Sequence, residues 1–369
     1  MDAKSNAIRS KLVIAVFIII IGGFFVLSRI VSVPVILESE RRALAKLPAL
    51  SMRSVASGEF MDKFENFAAD SFPFRESFRT IRAASVFGLF LQTDKNGLYF
   101  DDAGVGEFKP INQASVKQTS EKIKVITDNL TGVNIYYSFI PDKSFYSIKK
   151  MPGFDPALTE HLLTQNSIMD KFTFINLTDA LKKDSFYRTD FHWNQTMIKG
   201  VLDTLGAAMD FDCDLSKYSE EYAGEFHGVY TGQIALPIKA ESLNYLSNPS
   251  LTALRLNVNT MEMEAIPVYD LEKFKGLDAY DIFLSGAQPL IILENESAVT
   301  DKELYLFRDS FSSSLAPLLA SGYSKVVLID LRYMDMRTLN KLVDFKPESD
   351  ALFLYSTLVL NNSDMLLVR

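Results

Sequence analysis

The stretch YRTDFHWN, Tyr187 to Asn194, sets an acid, an imidazole and an amide within five residues, Asp190 to Asn194. It also holds the only tryptophan of the chain, Trp193, and one of its three histidines, His192. A carboxylate beside an imidazole does one of three jobs: it arms a general base, supplies half of a metal site, or holds a polar turn. The first job needs a nucleophile, and ELYLFRDSFSSSLAPLLASGY offers one. There an apolar run ends at Phe307, Arg308, Asp309 and Ser310 follow, and a helical pattern continues through Leu315 and Leu319. Ser310 is thus predicted at the carboxyl edge of a sheet strand, where ligands collect in open α/β sheets, and at a helix mouth whose amides and dipole suit an oxyanion. The competing reading is that Ser310 or Ser312 caps the helix.

A serine hydroxyl is a weak nucleophile until a base takes its proton, and His192 is the natural base. Asp190, two residues away, shares a face with His192 if the segment is extended, and would hold its tautomer. The chain order Asp, His, Ser is no obstacle, because triads occur in several orders. For a metal site the further ligands are not evident, and Cys213 is the only cysteine. Asn194 would donate to the oxyanion or start the following helix. Arg332 and Tyr333, after KVVLIDL, would line the same sheet edge and bind substrate oxygens, or Arg332 would form a structural ion pair. Lys143, in PDK, has the same two fates, substrate contact or surface turn. His161 is expected in solvent, and His227 lies in a glycine-flanked loop.

The elements that must position these groups alternate. Helical patterns at 118–130, 156–169, 195–209 and 312–321 are interleaved with strand-like runs at 133–139, 172–177, 305–307 and 325–331, which predicts an α/β domain with a largely parallel sheet. Residues 218–293 carry short apolar runs instead and are expected to form a β-rich insertion. Near the N-terminus, Phe60, Phe64, Phe67 and Ala68 recur at helical spacing and are expected to pack inside; Arg75 and Arg79 follow on a second helix.

Leu12 to Ser28 is uncharged and almost wholly apolar, preceded by Lys4, Arg9 and Lys11. That pattern predicts a single-pass transmembrane anchor at 12–28, with residues 1–11 cytoplasmic, a membrane-proximal linker at 29–56, and an extracytoplasmic domain at 57–369 in the plasma membrane. A cleaved signal peptide is the rival, but no small-x-small site follows Leu27. A net charge of −8 without a basic stripe argues against a nucleic-acid partner.

YRTDFHWN resembles the signature of the bacterial DHHW family, with Phe191 where the family's first His stands. DSFPFR (70–75), PDKSFY (141–146), FRDSFSSSL (307–315) and IDLRY (329–333) extend the likeness, in order, over most of the chain after Ser57. The family is related to the alginate O-acetyltransferases, whose catalytic domains resemble SGNH hydrolases with the Asp–His motif placed before the serine. The resemblance implies Ser310 as nucleophile, His192 as base and Asp190 as its orienting carboxylate. It further implies acetyl transfer to hydroxyls of an extracellular or cell-surface polysaccharide without a bound cofactor. The acetyl group would come from an acetyl ester or a membrane-bound O-acyltransferase partner. Arg308 stands where a conventional SGNH serine motif has Gly. The proposed oxyanion donors are amides near Phe311 and Ser312. A carbohydrate esterase with the same triad and a non-catalytic polysaccharide-binding or assembly protein are the alternatives.

Overall fold

The computed structural model describes residues 3–30, 36–102, 104–147, 154–164, 172–298 and 300–368. The chain divides into two compact units, Met1–Gln92 with Gly232–Pro237, and Thr93–Thr231 with Ile238–Arg369.

The larger unit is built on an eight-stranded sheet. Its strands are β1 (Asn134–Ile140), β2 (Thr173–Phe174), β3 (Leu251–Asn257), β4 (Glu262–Ile266), β5 (Leu290–Asn295), β6 (Glu303–Arg308), β7 (Lys325–Ile329) and β8 (Asp350–Ser356). They lie in the order β4-β3-β5-β7-β6-β8-β1-β2. From β7 to β2 every pairing is parallel. From β7 outward through β5 and β3 to β4 every pairing is antiparallel. The expected parallel sheet is therefore a mixed one. The difference arises in the 218–293 stretch, whose second half contributes β3, β4 and most of β5 to the main sheet; its first half forms a separate hairpin, Ser219–Phe226 with Glu241–Ser247. The β3–β4 hairpin can only add antiparallel, whereas the parallel strands need helical crossovers between them.

β6 and β8 are buried along their whole length, as the apolar runs of central parallel strands require. Their side chains alternate between two cores. Leu304, Leu306, Leu352 and Leu354 pack with Leu315 and Leu319 of helix Ser312–Leu319 and with Leu202 and Leu205 of helix Lys199–Met209. Tyr305, Phe307, Phe353 and Tyr355 face the other way, onto Val116, Ile123 and Ile126 of helix Gln113–Thr127 and Leu339. The helix read at 195–209 begins as a short 3-10 turn, Gln195–Met197, before its α-helical part. The helix read at 156–169 is Pro156–Thr164, and 165–169 lie outside the described residues.

The smaller unit begins with helix Ala3–Ile30, in which Ile8–Ser28 is the one stretch among the described residues long and apolar enough to cross a membrane. After the short helix Met52–Ala56 come helices Glu59–Asp70 and Arg75–Ala84. The segment read as a linker is tied to them by charge. Arg42 grips both carboxylate oxygens of Asp70 at 2.6 Å, which holds the Asp70 pKa down at about 2. Glu40 accepts from Arg42 and Arg75. The phenylalanines of helix Glu59–Asp70 do not form the expected core: the one buried residue of that helix is Asp70, and Phe64 is exposed.

Candidate active site

Four loops meet at the carboxyl edge of the parallel strands: Ser310 after β6, Lys143 after β1, Thr357 after β8 and Asp330 after β7. This is the edge at which such sheets gather function. Asp309 fixes the turn, accepting the Phe311 amide on Oδ1 at 3.1 Å and the Ser356 amide on Oδ2 at 2.6 Å. Arg308 is fully buried beneath it, and donates to the Asp309 carbonyl, the Ser313 hydroxyl and the Gln288 carbonyl. A guanidinium with several forked donors cross-links this turn where a glycine would leave it loose.

YRTDFHWN is a compact loop rather than an extended strand. A Phe186–Trp193 bridge closes it, and the Tyr187 amide donates to the His192 carbonyl at 3.1 Å. The Asp190 carboxylate folds back, accepting the His192 amide on Oδ1 at 3.1 Å and His192 Nδ1 at 2.8 Å. Its Oδ2 accepts the Val229 amide at 2.9 Å. With the proton on Nδ1 facing the carboxylate, Nε2 is left as the acceptor. Ser310 Oγ lies 2.9 Å from it, across 118 residues of sequence. Helix Ser312–Leu319 carries no side-chain cap, so the capping role read for Ser310 or Ser312 is not the one adopted.

Trp193 and Gln195 clamp the two motifs together. Trp193 Nε1 donates to the Phe311 carbonyl at 3.0 Å and Ser314 Oγ at 2.9 Å, and Gln195 Nε2 donates to the Ser314 carbonyl at 2.7 Å. The imidazole is packed on its faces as well. Tyr280 stacks on it at 3.8 Å and 6°, while Phe191 and Phe311 lie against it at 4.0 and 4.9 Å. Burial pushes the Tyr280 phenol well above its usual range, so its hydroxyl stays neutral beside Ser314 Oγ, 2.7 Å away. Tyr280 carried no signal in the sequence, since fifteen tyrosines look alike there.

Lys143 is buried rather than on a surface turn. Its ammonium donates to the carbonyls of Val105, Tyr187, Arg188 and Asp190 at 2.7, 2.6, 3.2 and 3.2 Å. It therefore holds the loop that carries Asp190. Desolvation lowers its pKa to about 8, against the opposing pull of Glu241, Asp190, Asp101 and Asp142. Glu241 grips the same loop from the other side, accepting the amides of Arg188 and Thr189 at 2.7 Å.

The remaining candidates fall elsewhere. Asn194 Oδ1 accepts the Thr196 amide at 3.1 Å and caps the following turn. Arg332 forks onto Asp330 at 2.8 and 2.6 Å, and Tyr333 is exposed beside it. The Phe311 and Ser312 amides, read as oxyanion donors, both donate to Asp309. His161 and His227 are exposed. Among the described residues no group of three or more His, Cys, Asp or Glu side chains is arranged to hold a metal. A cavity of about 30 Å³ opens beside the imidazole's neighbours, lined by Phe191, Tyr230, Phe311, Lys143 and Thr357.

No family model and no curated relative matches the chain. Solved structures do. A DHHW family protein from Eubacterium siraeum superposes with a TM-score of 0.56 at 16% identity, over 74% of this chain and 94% of that one. PatB1 from Bacillus cereus, seen free and with a sulfonyl adduct, superposes at 0.55 and 0.54, with 18% identity over 72% of this chain and 97% of its own. In fold, the chain is similar to a DHHW family protein and to PatB1.

Proposed function

We propose that this protein is a membrane-anchored O-acetyltransferase acting on the hydroxyls of a cell-surface polysaccharide through an acyl-serine intermediate. The observation that carries the reading is the hydrogen-bonded chain from Ser310 Oγ through His192 to Asp190, at 2.9 and 2.8 Å. In an SGNH-like reading of the domain, its order is permuted, with Asp190 and His192 ahead of Ser310.

Ser310 Oγ attacks the carbonyl carbon of an acetyl ester while Nε2 of His192 takes its proton. Asp190 stabilises the imidazolium, and the positive end of helix Ser312–Leu319 favours the oxyanion. Collapse breaks the ester C–O bond, and the donor alcohol leaves with the proton from His192. A sugar hydroxyl then gives its proton to Nε2 and attacks the acetyl-serine. Ser310 departs and regains the proton, so the net change is donor ester and sugar hydroxyl to donor alcohol and sugar acetate. The donor would be an acetyl ester or the product of a membrane-bound O-acyltransferase partner. Sulfonyl electrophiles trap activated nucleophiles, and PatB1 has been captured with such an adduct.

The anchor reading rests on Ile8–Ser28, whose 21 residues and mean hydropathy of 2.6 suit a bilayer core. Lys4, Arg9 and Lys11, ahead of the uncharged run Leu12–Ser28, favour a cytoplasmic N-terminus with the rest of the chain outside.

The test is intact-protein mass spectrometry of the full chain in detergent after exposure to an activated acetyl ester. One acetyl group is expected on Ser310, absent in Ser310→Ala and His192→Ala, and discharged faster by glycan acceptors than by water. An adduct elsewhere, or none on folded protein, overturns the mechanism. Discharge by water alone makes the protein an esterase.

A further inference from the structure

We infer that helices Glu59–Asp70 and Arg75–Ala84 lie in the lipid interface, inserting their aromatic face into the leaflet at the C-terminal end of the membrane span. The inference rests on the anchor reading above and concerns a different surface from the active site.

An apolar face of these helices is left uncovered by the described residues. Phe74, Phe78 and Ile81 fall within an arc of about 60° on one side of their helix, at 3.6 residues per turn. Ile81 is 60% exposed, and the following turn leaves Phe90 65% and Leu91 77% exposed. The one buried residue of helix Arg75–Ala84 is Ala83. A groove of about 600 Å³ runs between these helices and the span, lined by Ile20, Phe24, Leu47, Phe64, Phe67 and Phe78. Such a surface in water is a liability for any soluble protein.

Depth decides what covers it. Phe24 belongs to the span and stacks on Phe72 at 4.9 Å, with Phe78 at 5.9 Å. At 1.5 Å per residue, Phe24 sits about 6 Å inside the end of the apolar stretch at Ser28. Phe72 and Phe78 pack around it within about 6 Å, so their rings lie at or below the hydrocarbon boundary. Amphipathic helices lying in an interface bury their apolar faces by about 5–10 Å, the same depth.

Charge falls on the other side. Arg75 and Arg79 turn toward Glu40 and Glu76, and Arg79 also donates to the Gly232 carbonyl. A helix with arginines on one face and phenylalanine and isoleucine on the other has the composition of an interfacial helix. The same arrangement accounts for the lack of a core in helix Glu59–Asp70: acyl chains complete it.

The full chain, in a Cys213→Ser background, is reconstituted into phosphatidylethanolamine–phosphatidylglycerol vesicles with single spin labels at Ile81→Cys, Phe90→Cys, Thr80→Cys and Ile19→Cys. Collision with oxygen, which partitions into lipid, is compared with collision with a water-soluble nickel chelate. Labels at 81 and 90 are expected to favour oxygen, as at 19, while the label at 80, on the polar face, favours nickel. Nickel access at 81 and 90 with an immersed label at 19 overturns the inference and leaves the anchor intact. Shielding of 81 and 90 from both probes also overturns it, since protein rather than lipid then covers the face. A water-exposed label at 19 sinks the anchor reading itself, and the inference with it.

Discussion

Asp190 receives three N–H groups, two from His192 and one from Val229, so its carboxylate is fixed in place before any substrate arrives. Asp190→Asn keeps the shape but presents the imidazole with the wrong partner for its Nδ1 proton. Turnover of an acetyl ester is expected to fall by about 10³–10⁴-fold, with circular dichroism unchanged. A loss below tenfold would show that Asp190 does not orient the base. Lys143 acts on the same loop without touching the reaction. Lys143→Met leaves four carbonyls without their donor and is expected to cost about 3 kcal/mol in denaturant unfolding. Because folding lowers the Lys143 pKa from 10.5 to about 8, the unfolded chain holds the proton more tightly between those values. Wild-type stability relative to the methionine variant should therefore rise as pH climbs from about 8 toward 10. A flat difference would mean that the amine titrates normally.

At the scale of elements, the acid-bearing loop is held against Gly228 by close backbone contact. Gly228 illustrates how little room is left: a Cβ there would lie 2.3 Å from the Thr189 carbonyl oxygen and 2.6 Å from Asp190 Cβ. Gly228→Ala must push the acid-bearing loop away from its partners. We expect kcat for the acetyl ester to drop at least about tenfold, since misplacement by 1 Å costs about a hundredfold in well-aligned sites. Unchanged kcat would show that the loop yields without moving Asp190. The elements themselves were largely legible, because helices and buried strands announce their period locally. What the period could not convey is direction: nothing in LTALRLN or LIILEN states that β5 runs antiparallel to both β3 and β7.

At the scale of the whole molecule, one stretch among the described residues, Ile8–Ser28, is long and apolar enough to cross a membrane. The full chain is expected to remain with the membrane through high salt and alkaline carbonate and to be released by detergent. Release by carbonate would mean that residues 8–28 were cleaved as a signal sequence.

Sequence alone determined the chemistry available: an acid two residues from an imidazole, a serine between a buried strand and a helix, and an uncharged run long enough for a bilayer. These are local patterns, set by side-chain type and the 2.0 and 3.6 residue periods. Tertiary structure decided what each group does. It brought Ser310 to His192 across 118 residues, turned Lys143 inward onto four carbonyls, laid Tyr280 on the imidazole, and left the phenylalanines of the N-terminal helices facing outward. The reason is that strand order and burial belong to the whole chain, so a lysine or a phenylalanine reads the same in sequence whether it meets water, lipid or a protein core.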